Sequence, residues 1–110
     1  LKGRARTLIK EQAYAKYYMH RTGHWIGMDV HDVGDYKVEG EWRMLEPGMV
    51  MTIEPGLYFP QGTRGLAKKW WNIGIRIEDD VLVTRDGHEV LSMDAPKQVD
   101  EIEAIMAGAH

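Results

Sequence analysis

The sequence predicts a single α+β domain in which several short strands lie between two helices. Helical patterns stand near both ends of the 110-residue chain, and alternating apolar runs bounded by turn signals fill the stretch between them. No internal repeat or low-complexity segment interrupts this order. Helices layered on a sheet are the architecture that such an order favours. At this length the apolar core is expected to be thin.

The first predicted element is a helix over residues 4–19, where apolar residues recur near helical spacing and no glycine or proline intervenes. Three glycines break helical continuity in residues 20–34, which predicts loop and short extended pieces there. Residues 35–48 are rich in charge and predict a polar connection that leads into the first clear strand.

Alternation of apolar and polar residues predicts strands in the second half of the chain. MVMTIEP, residues 49–55, has strand character, and residues 60–72 read as an exposed loop because glycine, proline and basic residues cluster there. IGIRIEDDVLVT, residues 73–84, predicts one or two strands. The RDG turn signal at residues 85–87 leads into HEVLS and predicts a hairpin.

The last predicted element is a helix near the C-terminal end of the sequence. Asp94 or Ala95 is the expected cap, Pro96 falls in the predicted first turn, and Gly108 marks the expected end.

Composition narrows the classes of function. The chain has no cysteine, so disulfides, thiolate nucleophiles and cysteine-type zinc sites are excluded, and any metal must be held by His, Asp and Glu. Such ligands favour Mn, Co, Zn or Fe. A net charge of −3 gives no electrostatic signal for nucleic acid or an anionic membrane. No apolar run reaches the roughly 20 residues of a membrane span, so a cytoplasmic protein is expected.

The stretch HRTGHWIGMDVHDVG holds three of the five histidines and is a candidate metal site. His20 and His24 have the spacing of the zinc-metalloprotease helix, but residue 21 is Arg21 where that motif needs glutamate, so the motif fails. His24 and His31 are seven residues apart and would point to opposite faces of a continuous strand. They can converge only if the chain bends between them, and Gly27 is the obvious hinge.

Two glutamates downstream could complete such a site. Glu54 ends a predicted strand directly before Pro55, which cannot donate a ladder hydrogen bond. Glu78 shares a polar strand face with Arg76 and Gly74. This face is either a solvated edge with a weak ion pair, or the wall of a cleft in which Glu78 ligates cations, Arg76 orients it and Gly74 permits close approach.

Other candidates are weaker. Asp29, Asp32 and Asp35 lack the spacing of a calcium loop, which favours structural or turn roles. The four tryptophans are expected in core packing or in an apolar wall for a substrate or partner. Ser92 is the only serine and lacks the context of a hydrolase nucleophile.

Three motifs in this order, HRTGHWIGMDVHDVG, LEPGMVMTIEPGLYF and GIRIEDDVLVTRDGHEVLS, give the chain a family resemblance. It resembles the C-terminal catalytic half of Xaa-Pro aminopeptidases, in the pita-bread metallopeptidase superfamily that also holds prolidase, methionine aminopeptidase and creatinase. The resemblance implies a curved antiparallel sheet with flanking helices. It covers most of the chain, from about Tyr17 to the PKQVDEIEAIM segment.

The resemblance also implies a metal centre. In the family two divalent cations, typically manganese, are bound by two aspartates, one histidine and two glutamates. Matched residue by residue, His24 is the histidine ligand, Glu54 a ligand that also shuttles protons, and Glu78 the carboxylate that bridges both cations. Arg76 matches an arginine that supports the bridging glutamate.

The implied reaction is hydrolysis by two metal ions. His20 and His31 match histidines that contact the substrate and the tetrahedral intermediate. The cations lower the pKa of a bridging water, and the metal and a histidine stabilise the oxyanion. Glu54 passes the proton to the leaving proline nitrogen. The implied partners are peptides with proline in second position, with no role for nucleic acid or membrane, and the full-length enzyme is expected to be a homo-oligomer.

The two aspartate ligands of the family have no match before His20, and Asp29 and Asp32 belong to the histidine motif itself. Residues 1–110 are therefore expected to be a C-terminal fragment of the catalytic domain that lacks the upstream half, binds metal poorly and is inactive alone. A second departure is Arg21 to Gly23, where the family usually has glycine first and often serine third.

Alternatives to the aminopeptidase remain open. Prolidase shares the EPG and RIED motifs, although HWxGxDVHDVG favours the aminopeptidase. Methionine aminopeptidase fits less well because its last strand does not normally carry the RIED sequence. A non-catalytic pita-bread module that binds peptides or proteins is the second class, and the retained His24, Glu54 and Glu78 argue against it. An oligomerisation fragment is a third reading.

Overall fold

The chain folds into short antiparallel strands that lie between two helices, as the sequence predicts. The structure, a computed structural model, describes residues 2–108. Its elements in chain order are α1 (Lys2–Lys10), a 3₁₀ helix (Ala15–Tyr17), β1 (Lys37–Val38), β2 (Glu41–Trp42), β3 (Val50–Ile53), β4 (Gly56–Phe59), a second 3₁₀ helix (Lys68–Trp70), β5 (Ile73–Arg76), β6 (Asp79–Val83), β7 (His88–Val90) and α2 (Val99–Met106).

The centre of the fold is an antiparallel ribbon. Strand β3 pairs with β6, and β4 pairs with β5. Ile53 is paired with Asp79, and Gly56 is paired with Arg76. The β3–β6 and β4–β5 pairs therefore share one register, and two residues in each chain segment separate them. The predicted hairpin is confirmed, because β6 pairs with β7 and the Thr84 N–H donates to the Gly87 carbonyl.

The histidine-rich segment lies along the free edge of β3. Backbone N–H groups of Ile26, Thr52 and Glu54 donate to the carbonyls of Val50, His24 and Thr22 respectively, at 3.1, 2.9 and 2.6 Å. These bonds recur every second residue, which is the pattern of an antiparallel neighbour. Residues 22–26 therefore act as an additional edge strand, joined to β3 by the Trp25–Met51 bridge.

The two faces of this sheet differ in polarity. Met51 stands opposite Trp25 on one side and Val81 on the other, and Val81 is paired with Val90, so these apolar residues share one face. Val81 is the one apolar residue in the described part of the chain that is almost fully buried, at 6% exposure. Thr52 marks the opposite, polar face and is 1% exposed.

A small hairpin, β1 to β2, occupies the stretch predicted as a polar connection. Lys37 pairs with Trp42, and the two central turn residues have positive φ, 52° at Glu39 and 89° at Gly40. This is the geometry of a type I′ turn, which glycine adopts without strain. The only sequence signal was the glycine, because the flanking strands are two residues long and exposed.

The prediction of one helix over residues 4–19 is wrong in its second half. Helix α1 ends at Lys10, and Gln12 has a φ of 55°, which an α-helix cannot contain. The chain then turns into the 3₁₀ helix, where the Tyr17 ring packs edge-on against Phe59 at 4.9 Å between centroids. Packing against β4 thus replaces the continuation of the helix.

The C-terminal helix begins later than predicted. Gln98 is its N-cap, so Pro96 precedes the helix instead of lying in its first turn. The Glu101 carboxylate accepts the backbone N–H of Gln98 at 3.3 Å, which caps the first turn. The predicted end is confirmed, since Gly108 follows with a φ of 76°.

A polar cluster fixes the segment before α2 to the sheet. Lys97 Nζ donates to the Asp79 carboxylate at 2.8 Å and to the Ser92 carbonyl at 2.7 Å, and the Ser92 hydroxyl donates to the same carboxylate at 2.7 Å. The bonds from Lys97 and Ser92 hold the pKa of Asp79 below its ordinary value of 3.8. Ser92, excluded above as a nucleophile, therefore has a structural contact.

The described chain is open in shape. Its radius of gyration is 17.2 Å, whereas a compact domain of this length has a radius of about 13 Å. An apolar groove of about 1190 Å³ lies between the N-terminal helical segment and β4–β5, and Leu57, Phe59 and Ile75 line it. The expectation of a thin core is confirmed. Among the described residues, no helix has the length and apolar character to cross a membrane.

We predict that Asp79 stabilises the attachment of α2 at neutral pH. Because its pKa is lowered in the folded chain, this contribution is present above the unfolded value of 3.8 and is lost as the pH falls through the folded value. Asp79→Asn should increase amide hydrogen exchange in α2 relative to the unchanged chain at pH ~6. The difference should shrink towards pH ~2. Asp86→Asn, in the exposed β6–β7 turn, is the control, and an equal effect there would contradict the assignment.

Candidate metal centre

The polar face of the sheet brings four side chains from three chain segments together. In an antiparallel sheet, directly opposed residues and residues two apart on a strand share a face. His24 lies opposite Thr52, and Glu54 follows Thr52 by two positions. The continuous register of the ribbon places Glu78 opposite Glu54. The strand register alone therefore places four side chains on one face of the sheet: His24, Thr52, Glu54 and Glu78.

The two glutamates lie where the ribbon is interrupted. Glu54 and Pro55 separate β3 from β4, and Ile77 and Glu78 separate β5 from β6. Pro55 has no N–H to donate, but its carbonyl accepts the Ile77 N–H at 3.3 Å, so the two sides stay together. Both carboxylates thus stand at a defined break in the ladder, as the proline after Glu54 predicts.

Arg76 links the two carboxylates. Its Nε lies 3.5 Å from Glu54 Oε2, and its Nη2 lies 3.6 Å from Glu78 Oε2. Glu54 is only 13% exposed, whereas Arg76 is 51% exposed. Arg76 therefore approaches the less exposed carboxylate from the solvent side, and it partly neutralises two like charges on one face.

His24 turns its Nε2 to this face. Its Nδ1 lies 3.0 Å from the Trp25 carbonyl, and a carbonyl can only accept, so Nδ1 carries a proton. Nε2 lies 3.4 Å from Glu54 Oε1, and in the neutral ring it offers its lone pair to this face. The bond at Nδ1 fixes both the tautomer and the ring orientation, as is common for metal-binding histidines.

Thr52 connects the histidine to the glutamate. Its hydroxyl accepts the His24 backbone N–H at 2.9 Å and donates to Glu54 Oε1 at 3.1 Å. In the most buried position of the face, the hydroxyl thus accepts one hydrogen bond and donates one. The sequence analysis did not identify Thr52, although its position two residues before Glu54 on a strand puts both side chains on one face.

Tyr58 is a second residue of the site that sequence reasoning did not find. Its hydroxyl lies 2.7 Å from His20 Nε2, while His20 Nδ1 donates to the Arg21 carbonyl at 2.7 Å. The Tyr58 ring extends over Gly74, where an added Cβ would lie 2.9 Å from the ring. Gly74 therefore permits a close approach, as expected, and the group that approaches its backbone is the Tyr58 ring.

His31 reaches the site through the predicted bend. The rings of His24 and His31 meet edge-to-face with centroids 4.4 Å apart. The Gly27 N–H donates to the Asp29 carbonyl, and a Cβ at Gly27 would collide with the Asp32 carboxylate. Gly27 therefore permits the turn that reverses the chain between the two histidines.

The structure does not bring the two aspartates of the histidine motif, or Asp35 directly after it, into the cluster. Within residues 2–108, the grouping of possible metal ligands comprises His24, Glu54 and Glu78 alone. Asp32 turns back onto Gly27, and Asp29 and Asp35 are exposed. This placement agrees with the turn roles expected of them.

The tryptophans take different positions. Trp25 belongs to the apolar face of the sheet, Trp42 is 73% exposed on β2, and Trp70 and Trp71 lie in the loop before β5. Trp25 stacks on Tyr36 with their rings 8° from parallel and their centroids 5.4 Å apart. Core packing is therefore the role of Trp25, and Trp71 is also half-buried, with its indole Nε1 shielded from solvent.

The three grouped residues fit a divalent cation. Their ligand atoms all lie within 4.8 Å of one another. The 3.4 Å between His24 Nε2 and Glu54 Oε1 matches the separation of about 3.4 Å between two ligands of one tetrahedral ion. One imidazole nitrogen and two carboxylates form a set suited to Mn, Co, Zn or Fe. The cleft beside them has a volume of about 430 Å³ and is also lined by Arg21, Tyr36 and Arg76.

Comparisons with known proteins show the family of the chain. Residues 1–85 match the model of metallopeptidase family M24. Over 110 residues the chain is 46% identical to the Xaa-Pro aminopeptidase of Escherichia coli K12, and it covers 24% of that protein. Aminopeptidase PepP of Pseudomonas aeruginosa superposes with a TM-score of 0.84 at 62% identity, over 94% of this chain and 24% of that one.

A third similar protein is the zinc-substituted aminopeptidase P of E. coli in complex with product. It superposes with a TM-score of 0.81 at 45% identity, over 96% of this chain and 23% of that one. The chain thus spans about a quarter of the length of these relatives. These matches confirm the predicted fold, a portion of the pita-bread architecture. The family match covers most of the chain, and the chain therefore belongs to metallopeptidase family M24.

Proposed function

We propose that residues 1–110 are the C-terminal part of the catalytic domain of a dinuclear metal-dependent Xaa-Pro aminopeptidase. The enzyme removes the first residue from peptides that have proline in second position. The observation that carries this proposal is the convergence of His24, Glu54 and Glu78 within 4.8 Å on one sheet face. The names of the relatives support the same activity.

The proposed metal ligands of this chain are His24 through Nε2, and Glu54 and Glu78 through their carboxylates. Two divalent cations held there would activate water and polarise the scissile carbonyl. The zinc-substituted relative supports a divalent metal, and we propose manganese as the native one. Two of the five ligands that the resemblance implies have no match in this chain, so we expect weak metal binding and little hydrolysis from these residues alone.

Each polar residue of the face has a proposed task. Glu54, with Oε1 held by Thr52 and Oε2 facing Arg76, receives a proton from the attacking water and passes it to the proline nitrogen. Arg76 would keep the Glu78 carboxylate in place as a metal ligand. His20 and His31, on either side of His24, contact the substrate and the intermediate.

Two further expectations stay proposals. The full-length enzyme is a homo-oligomer, and it acts in the cytoplasm. Peptides are the proposed partners.

The first prediction that follows from this proposed function concerns the reaction. A protein that extends this chain upstream by about one half-domain, assayed with manganese, should cleave Ala-Pro-Ala to alanine and Pro-Ala, because the extension supplies the missing ligands. The 110-residue chain should be at least about 100-fold less active. Product analysis by mass spectrometry is the measurement. An extended protein that is fully loaded with metal yet inactive would refute the activity, and cleavage of only the dipeptide Ala-Pro would identify a prolidase.

The second prediction concerns Glu78. In the extended protein, Glu78→Gln should lose metal and activity together, since an amide oxygen cannot supply the bridging negative charge. Metal content by mass spectrometry and cleavage rates are measured in parallel. Glu89→Gln, the same change at an exposed position of β7, should alter neither. Full activity in Glu78→Gln would reject the bridging role.

The third prediction concerns Thr52. Thr52→Val keeps the shape of the side chain but leaves the His24 N–H without its acceptor, which should cost about 1–3 kcal/mol of unfolding free energy. It should also weaken metal affinity about 10-fold or more, because Glu54 loses its donor. Denaturant unfolding and metal titration of the extended protein test this. Thr52→Ser retains the hydroxyl and should stay close to the original in metal affinity, whereas equal losses in both variants would contradict the role of the hydroxyl.

A further inference from the structure

Arg21 is a cation at the edge of the metal-ligand cleft that the proposed mechanism does not use. It lines the cleft together with His24, Glu54 and Arg76. It also occupies the position at which the sequence departs from the family pattern, immediately after His20. Its place and charge raise the question of what it binds.

The backbone on both sides of Arg21 is fixed. The Arg21 carbonyl accepts from His20 Nδ1 at 2.7 Å, and the next carbonyl, that of Thr22, accepts the Glu54 N–H at 2.6 Å. The Arg21 side chain is exposed. The base of this side chain is thus anchored to the strand that carries Glu54, while its charged end remains accessible to solutes.

An aromatic platform holds the charged end at the cleft. The Arg21 guanidinium carbon lies 5.7 Å from the centroid of the Tyr36 ring. The Tyr36 ring is itself fixed, since it stacks on the Trp25 ring and its hydroxyl accepts the backbone N–H of Trp25 at 3.2 Å. When a guanidinium lies over an aromatic ring, its N–H groups point outward in the plane of the guanidinium and stay available to an anion.

The two arginines of the cleft differ in their partners. Arg76 is engaged by Glu54 and Glu78. Within residues 2–108, no carboxylate lies within 4.0 Å of the Arg21 guanidinium. The planar fork of an arginine matches the two oxygens of a carboxylate, which makes a carboxylate its preferred small ligand. A peptide substrate carries carboxylates at its C-terminus and on acidic side chains.

We infer that Arg21 is a specificity-determining residue that binds a carboxylate of the peptide substrate while the scissile bond lies at the metal ligands. The inference rests on the proposed peptidase function. The carboxylate is either the peptide C-terminus or an acidic side chain after the proline, and both offer the same chemistry to the guanidinium.

The test compares four peptides on the extended, manganese-loaded protein: Ala-Pro-Ala, its C-terminal amide, and the C-terminal amides of Ala-Pro-Glu and Ala-Pro-Gln. The two charged and neutral pairs are Ala-Pro-Ala with its amide, and the Glu amide with the Gln amide. At low salt, the charged peptide of one pair should have a kcat/KM about fivefold above that of its neutral counterpart, as expected for a partly exposed ion pair. Preference for free Ala-Pro-Ala identifies the C-terminus, and preference for the Glu peptide identifies the side chain. The preference should decrease in about 0.5 M salt.

Variants assign this preference to Arg21. Arg21→Gln should abolish it, because KM should rise for the charged peptide more than for its neutral counterpart. Arg21→Lys should keep part of it, because the charge stays and the fork is lost. Arg64→Gln, which removes a cation from the remote loop before β5, should leave it intact.

The outcomes separate the two proposals. Cleavage of the neutral peptides without a preference for charge, or a preference that survives in Arg21→Gln, overturns the role of Arg21 and leaves the peptidase function standing. If the loaded protein cleaves none of the four peptides, the peptidase function fails and the role of Arg21 fails with it.

Discussion

The Thr52 hydroxyl holds together two parts of the chain that are far apart in sequence. It receives the backbone N–H of His24 and donates to the carboxylate of Glu54, so an imidazole and a carboxylate are held 3.4 Å apart. The register of the edge segment against β3 makes this possible, and a slip of one residue would turn His24 to the apolar face. The geometry of the site is therefore a property of the sheet and not of flexible loops.

The interruption of the ribbon has a comparable role. A regular ladder would carry Glu54 and Glu78 as an exposed like-charged pair, which is unfavourable. Here Pro55 ends the ladder, and Arg76 contacts both carboxylates. Two carboxylates against one guanidinium leave a net negative charge at a fixed place, which would stabilise a cation that enters.

Sequence reasoning succeeded where periodicity and turn chemistry act locally. The alternating strand before Pro55 and the final hairpin followed from such patterns, and the family resemblance named His24, Glu54 and Glu78, which the structure groups together. The break of the first helix at Gln12 was not predictable, because contacts of the following turn with β4 override local propensity. The roles of Thr52 and Tyr58 also lay beyond the sequence, since both depend on partners about 28 and 38 residues away.

The near absence of buried apolar side chains has a thermodynamic consequence. Among the side chains whose burial the structure describes, Val81 is the one apolar side chain that is almost fully buried, so hydrophobic burial contributes less to folding than in a compact domain. Any ligand that binds only the folded form then supplies a large share of its stability, about 1.4 kcal/mol for each tenfold rise in free concentration above the dissociation constant. If the proposed cation binds only the folded form, its supply and the folded population of the chain are linked, and scarcity of the ion would lower that population.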